Sequence, residues 1–247
     1  MLPSALFAGL FLATASQAVP TATRRDPEGV VIFKRDSVLT PRDLELAEMH
    51  GVNLTQMYKH SLHKRDDGDD ITIWVDNGFQ EVEGPQEHPL SKRQRARLWW
   101  SHHYSASGGG ISDMCRQHDR KDWTSSNSPY TGGVRAIAEW ARDNKGYFIW
   151  GDIGGGWVWR TVLIGGSNSG RNARYRGQVT DPGIATRAFV GTDDVRDDAY
   201  WTHDRGREFS SSTGGWRAAS YGWETCGLPG PYNVRFNYEV AHFDPDV

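Results

Sequence analysis

The sequence predicts an α+β fold, a small sandwich built on a mainly antiparallel sheet with two helices packed on one face. Three observations carry this. Short runs in the second half of the chain alternate apolar and polar residues with period 2, two other stretches repeat apolar residues at helical spacing, and the order is helix, three or four strands, helix, two strands.

In chain order, "GGVRAIAEWARDN" sets Val134, Ile137, Ala138 and Ala141 at i, i+3, i+4 and i+7, the stripe of an amphipathic helix. Strand-like runs follow at 147–150, 157–164, 173–179 and 186–191. A second helix begins at Thr192, an N-cap residue. It places Asp193 and Asp194 in the first turn, where the helix dipole favours them, and Val195, Ala199 and Thr202 along one face. Runs at 215–220 and 232–241 close the chain, the latter with Val234, Phe236, Tyr238 and Val240 on one side.

The first half reads differently. An apolar run from Leu6 to Ala15 leads into Ser16-Gln17-Ala18, which predicts a signal peptide over 1–18, cut after Ala18, and a secreted, extracellular product. No other segment approaches the roughly 18 apolar residues of a membrane span. Dibasic pairs at Arg24-Arg25, Lys34-Arg35, Lys64-Arg65 and Lys92-Arg93 look like sites for a Kex2-type processing protease, with cleavage after Arg35, Arg65 and Arg93. Ten of the eleven tryptophans follow Lys92-Arg93. Residues 19–93 therefore read as a pro-segment and 94–247 as the mature domain. "DDITIWVDNGF", 69–79, resists that division, because Ile71, Ile73 and Val75 alternate as in a strand; a start at Asp66 is the alternative. The one glycosylation sequon, at Asn53, lies upstream of either start and is expected to be lost with the pro-segment.

From residue 94 on, 18 Lys plus Arg oppose 17 Asp plus Glu, which is not the balance of a nucleic-acid binder. The only cysteines, Cys115 and Cys226, are expected to pair in an oxidising compartment.

Cys115, the Thr124 to Pro129 box, the amphipathic helix, a Trp-led strand, "FVGTDDVRDDAYWTHDRGREF", "GWRAASYGWETC" and "NVRFNYEV" follow one another in an order that resembles the Ecp2-like (Hce2) family of fungal small secreted effectors and necrosis-inducing factors. The resemblance covers roughly Ile111 to Val240. It implies a non-enzymatic virulence protein or toxin acting on an extracellular or cell-surface target of a host or competitor. Similar proteins carry a further cysteine pair at places held here by Val134 and about Ser167. Both are gone together, so the resemblance implies that Cys115–Cys226 is the surviving outer bridge.

"GGSNSGRNARYRG", 165–177, raises an anion cradle in which Arg171, Arg174 and Arg176 would neutralise a phosphate. The resemblance instead implies a strand connection there, with Arg174 and Arg176 on a solvent face. Gly166 to Gly170 lacks the central serine of a hydrolase elbow. His102, His103, His118 and Asp119 have no metal-ligand spacing and read as solvated polar residues, as does the acidic run Asp193, Asp194, Asp197 and Asp198. The abundance of tryptophan suggests an exposed binding patch, Trp99-Trp100 first.

These readings give a non-catalytic effector with no catalytic residue, metal ligand or cofactor assigned. The rivals are a small secreted hydrolase of nucleic acid or cell-wall polysaccharide and a carbohydrate-binding module. The hydrolase requires His118 or His203 within reach of a carboxylate at the floor of a Trp-lined pocket.

Overall fold

The computed structural model describes residues 24–25, 29–65, 68–81, 112–150, 158–180, 188–209, 215–227 and 233–242. Ala18, Arg93, Trp99, Trp100, His102 and His103 lie outside them. The described elements are β1 (Arg24–Arg25), β2 (Val30–Ile32), α1 (Pro41–Met49), β3 (Met57–His63), β4 (Ile71–Asp76), β5 (Gln80–Glu81), β6 (Cys115–Asp122), α2 (Thr131–Asp143) and β7 (Gly146–Trp150). After these come β8 (Arg160–Ser167), β9 (Ala173–Val179), β10 (Ala188–Gly191), α3 (Thr192–His203), β11 (Arg207–Phe209), β12 (Gly215–Arg217), β13 (Ser220–Gly227) and β14 (Asn233–His242).

The class is α+β. Nine strands form one sheet in the order β1-β2-β3-β4-β8-β9-β14-β13-β6, antiparallel at every pairing. A smaller sheet, β10-β7-β5, adds Phe148, Trp150 and Val190 to the same core. The two expected helices are α2 and α3, and their apolar faces share that core with Val75, Tyr175 and Phe236. The pattern predicts two helices; the described residues hold a third, α1, on the other side of the sheet.

Strand β4 shows why both sides are covered. Ile71, Ile73 and Val75 pack into the core beneath α2, while Trp74 between them packs with Leu46 and Ala47 of α1, Met57 and Ile164. All six β4 residues are buried, as expected for a strand covered on both faces. Strands β2, β3 and β4 thus share one sheet with β8, β9, β14, β13 and β6, and the lone upstream tryptophan, Trp74, is among the most buried side chains.

The pair Gly165-Gly166 follows from the same layering. A Cβ on Gly165 would stand 2.4 Å from the Gly133 carbonyl oxygen of α2, and one on Gly166 would stand 2.1 Å from Nδ1 of His50. Each glycine admits a close neighbour on one face. Strand β8 therefore continues to Ser167 instead of ending at Ile164, and the turn to β9 lies at 168–170.

Candidate functional site

Edge strand β6 carries a bulge that sets the geometry of the most polar part of the interior. Trp223 pairs with Asp119 and Thr225 with Arg116, so Gln117 and His118 together face Glu224, and Gln117 takes φ 57° to do so. Such a bulge re-aims the following side chain. Cys226, Glu224 and Gly222 alternate on the inner face of β13, and His118 and Arg120 meet them from β6. From the other side α3 supplies Asp194 and Asp198, one turn apart.

His118 Nδ1 lies 2.9 Å from Glu224 Oε2 and 3.9 Å from Asp198 Oδ1. Arg120 Nε donates to Asp198 Oδ1 at 2.8 Å, and the Tyr175 hydroxyl donates to Asp198 Oδ2 at 3.0 Å. Asp194 accepts from the backbone N–H groups of Met114 (2.9 Å), Cys115 (3.2 Å) and Gly191 (2.8 Å), which ties the start of β6 to the start of α3. Glu224 differs: its side chain is 0% exposed and neither oxygen has a hydrogen bond, His118 Nδ1 approaching Oε2 as an ion pair only.

Burial, reinforced by the charge of Asp198, pushes the Glu224 carboxyl well above its ordinary range. Burial lowers His118 although Asp198 opposes it, and raises Asp198 against the pull of Arg120. All three shifts favour uncharged forms, because a charge removed from water is costly unless paired.

The opposite, outward face of the same strands forms a groove of about 570 Å³. Its aromatic lining is Trp123, Trp159, Tyr221 and Trp223, above the buried Tyr238, with Arg176, Arg235, Asn237, Glu239 and Asp119 among the polar groups. Each ring is fixed by a neighbour. Trp223 Nε1 donates to Asp119 Oδ2 at 2.9 Å, Arg235 lies 4.6 Å from the Trp223 ring, and Arg176 lies 4.9 Å from the Trp159 ring. Trp123 is 58% exposed and meets Tyr221 edge to face at 5.5 Å. A second groove, of about 720 Å³, is lined partly by Arg65, Arg135, Glu139, His203 and Trp216.

The other sequence-predicted residues separate. Cys115 and Cys226 stand opposite each other in the β6–β13 register and form the disulfide. The three arginines of the suspected cradle diverge. Arg171 donates to the Ser126 carbonyl, Arg176 bonds to Glu239, and Arg174 is only 6% exposed, which corrects the expectation that it faces solvent. A second correction concerns the acidic run. Asp193 and Asp197 lie toward the outside, paired with Arg196, but Asp194 and Asp198 are buried, because the helical period turns every fourth residue inward. Asn53 is exposed, its Oδ1 accepting from Thr55 at 2.7 Å. Arg35 donates to the Phe79 carbonyl and lies over Tyr58. Glu224 carries no role in the sequence reading; its signal is its place two residues before the inward Cys226.

No protein-family model matches the chain, and no curated protein matches it.

Proposed function

We propose that this is a secreted, non-catalytic effector that binds a polysaccharide or glycan on a host or competitor cell, with the outward groove as its binding face. The carrying observation is the set of three tryptophans and a tyrosine lining one groove beside planar hydrogen-bonding groups. Aromatic faces stack on the C–H faces of sugar rings, while Arg, Asn and carboxylate side chains match vicinal hydroxyls. Rigid stacking of Arg235 on Trp223 and of Arg176 on Trp159 pre-organises that face, so little ordering cost is added on binding.

In this reading residues 1–18 export the chain and the dibasic pairs are cut by a Kex2-type protease, as the apolar leader and the paired basic residues suggest. His118 meets the carboxylate condition of the hydrolase alternative through Glu224 and His203 meets it through Asp204 at 3.2 Å, yet the Glu224 carboxylate is turned to the interior, away from the tryptophan groove, and the Asp204 side chain is 69% exposed rather than at a pocket floor. This separation supports binding over hydrolysis.

The test is retention of the secreted protein on insoluble chitin, β-glucan, mannan and cellulose, followed by tryptophan fluorescence titration with soluble fragments. Retention by one polymer, with affinity lowered about tenfold in Trp123→Ala and in Arg235→Ala, is expected from the loss of about 1–2 kcal/mol per stacked or bidentate contact. Absence of retention on every polymer overturns the proposal, and release of reducing ends from any of them returns the hydrolase.

A further inference from the structure

The glycan-binding reading leaves the inner cluster at the β6 edge without a task. We propose that His118, Asp198 and Glu224 bind one first-row divalent cation, with Zn²⁺ the best match to an imidazole and two carboxylates. The inference is independent of what the outer groove binds.

Geometry is the first support. One donor atom from each residue lies within 4.8 Å of the others, and His118 Nδ1 is 2.9 Å from the Glu224 oxygen and 3.9 Å from that of Asp198. Donors around a tetrahedral zinc with bonds of about 2.1 Å are spaced about 3.4 Å apart, midway between those two separations, so a small adjustment of the His118 ring brings it into range of both carboxylates. The bulge at Gln117 is what aims His118 inward; a regular β6 would not set two residues against Glu224.

Glu224 is the second, independent support. Both of its oxygens are buried and lack a hydrogen bond, a condition that interiors rarely tolerate without a partner for the charge. Asp194 is close by but spends its oxygens on three backbone N–H groups. Arg120 is the one guanidinium that bonds to the three buried carboxylates Asp194, Asp198 and Glu224 among the described contacts, and it is committed to Asp198. A divalent cation would supply the positive partner that lets Glu224 ionise, which Arg120 does not.

The surroundings fit a metal centre. Arg120 and the Tyr175 hydroxyl orient the Asp198 carboxylate, as outer hydrogen bonds orient metal ligands elsewhere. The His118 side chain is 26% exposed, which gives an entry path. The sulfurs of Cys115 and Cys226 adjoin Glu224 but are bonded to each other, so the available donors are nitrogen and oxygen.

The experiment is calorimetric titration of ZnCl₂ into the chelator-treated full chain at pH 7, with melting followed by circular dichroism and Co²⁺ absorption as the spectroscopic signature. Saturation at one Zn²⁺ per chain, a rise in Tm and visible Co²⁺ bands are expected. Glu224→Gln should weaken Zn²⁺ at least about 100-fold and abolish the Tm rise, while His203→Gln changes neither. If Glu224→Gln does not fold, His118→Ala at its partly exposed position is judged by the same titration. No saturable binding by the unaltered chain, or binding that neither variant weakens, overturns the site. So does a Glu224→Gln protein more stable than the parent under chelator where Zn²⁺ stabilises neither, because Glu224 is then a protonated structural acid.

Discussion

Trp74 Nε1 donates a 3.0 Å hydrogen bond to Nδ1 of His50, joining central strand β4 to the C-terminal cap of α1. An indole is only a donor, so His50 is neutral with its proton on Nε2, which faces the Ser167 carbonyl at 3.2 Å. Burial is the main reason that the His50 pKa falls to about 4, with the charge of Arg42 acting in the same direction against Ser167 and Asp69. Burial lowers His60 to about 4 as well.

Those two imidazoles make the fold sensitive to acid. Between pH 6.5 and about 4 these two sites bind protons in the unfolded chain that the native chain refuses, so their contribution to stability rises with pH through that window, against the opposite contribution of the raised Asp194, Asp198 and Glu224 carboxyls. It is complete above pH 6.5 and lost on acidification. For His50 alone the effect is on the order of 3 kcal/mol. Urea unfolding at pH 7, 6, 5 and 4 should show a falling midpoint, and His50→Gln should flatten the lower part of that profile. A His50→Gln profile that falls with acidification as steeply as the parent's rejects the account.

Gly165 and Gly133 predict a packing defect. A methyl group on Gly165 meets the Gly133 carbonyl at 2.4 Å, a contact with backbone that no rotamer relieves. Gly165→Ala should cost about 2–3 kcal/mol by forcing α2 away from β8. The same substitution at Gly170, where nothing lies within 4 Å, tests only the positive φ of 80° and should cost about 1 kcal/mol. Urea midpoints of the two variants give the comparison, and equal effects would refute the close-approach explanation.

Cleavage after Arg65 should nick the protein without dismantling it. Lys64 and Arg65 are exposed between β3 and β4, whereas β3 is hydrogen-bonded to β4 and Met57 packs with Trp74 and Ile164. The disulfide closes residues 115–226 and does not span the cut. Both pieces of a chain nicked there are therefore expected to co-elute in native gel filtration and to separate in urea. Spontaneous loss of the upstream piece, with the remainder still folded, would contradict the shared core.

How much of this was legible depended on where apolar periodicity existed. Val234, Phe236, Tyr238 and Val240 announce β14, and Val134, Ile137 and Ala141 announce α2; all are buried as their spacing requires. Strand β6 is "CRQHDRKD", with no apolar alternation to read, because its inward positions hold His118 and Arg120 for the buried carboxylates. Helix α1 has a weak apolar stripe, but Thr40, Pro41 and Asp43 form a proline-led capping box that could have revealed it. Glu224 and Asp198 were hidden because burial of a charge depends on partners on other strands, such as Arg120, 78 residues before Asp198, which no local pattern contains.

The disulfide is where that illegible strand is anchored. Cys115 and Cys226 are directly paired across β6 and β13, two positions from Glu224, and β6 has a neighbour on one side only. Closing a loop of this length is nominally worth about 4–5 kcal/mol in the chain-entropy model, an upper figure where denatured-state structure intervenes. Beyond the global effect, an edge strand with polar inward residues has little apolar burial of its own to hold it. Cys115→Ala/Cys226→Ala is therefore expected to lower stability by up to about 4 kcal/mol and to raise amide exchange selectively in 115–119, before β9 or β14 is affected. Hydrogen exchange read by mass spectrometry distinguishes the two contributions. A uniform increase over all strands would mean that the bridge acts on the unfolded chain alone, and that the alignment of His118 with Glu224 is held by the bulge and the Asp194 contacts without it.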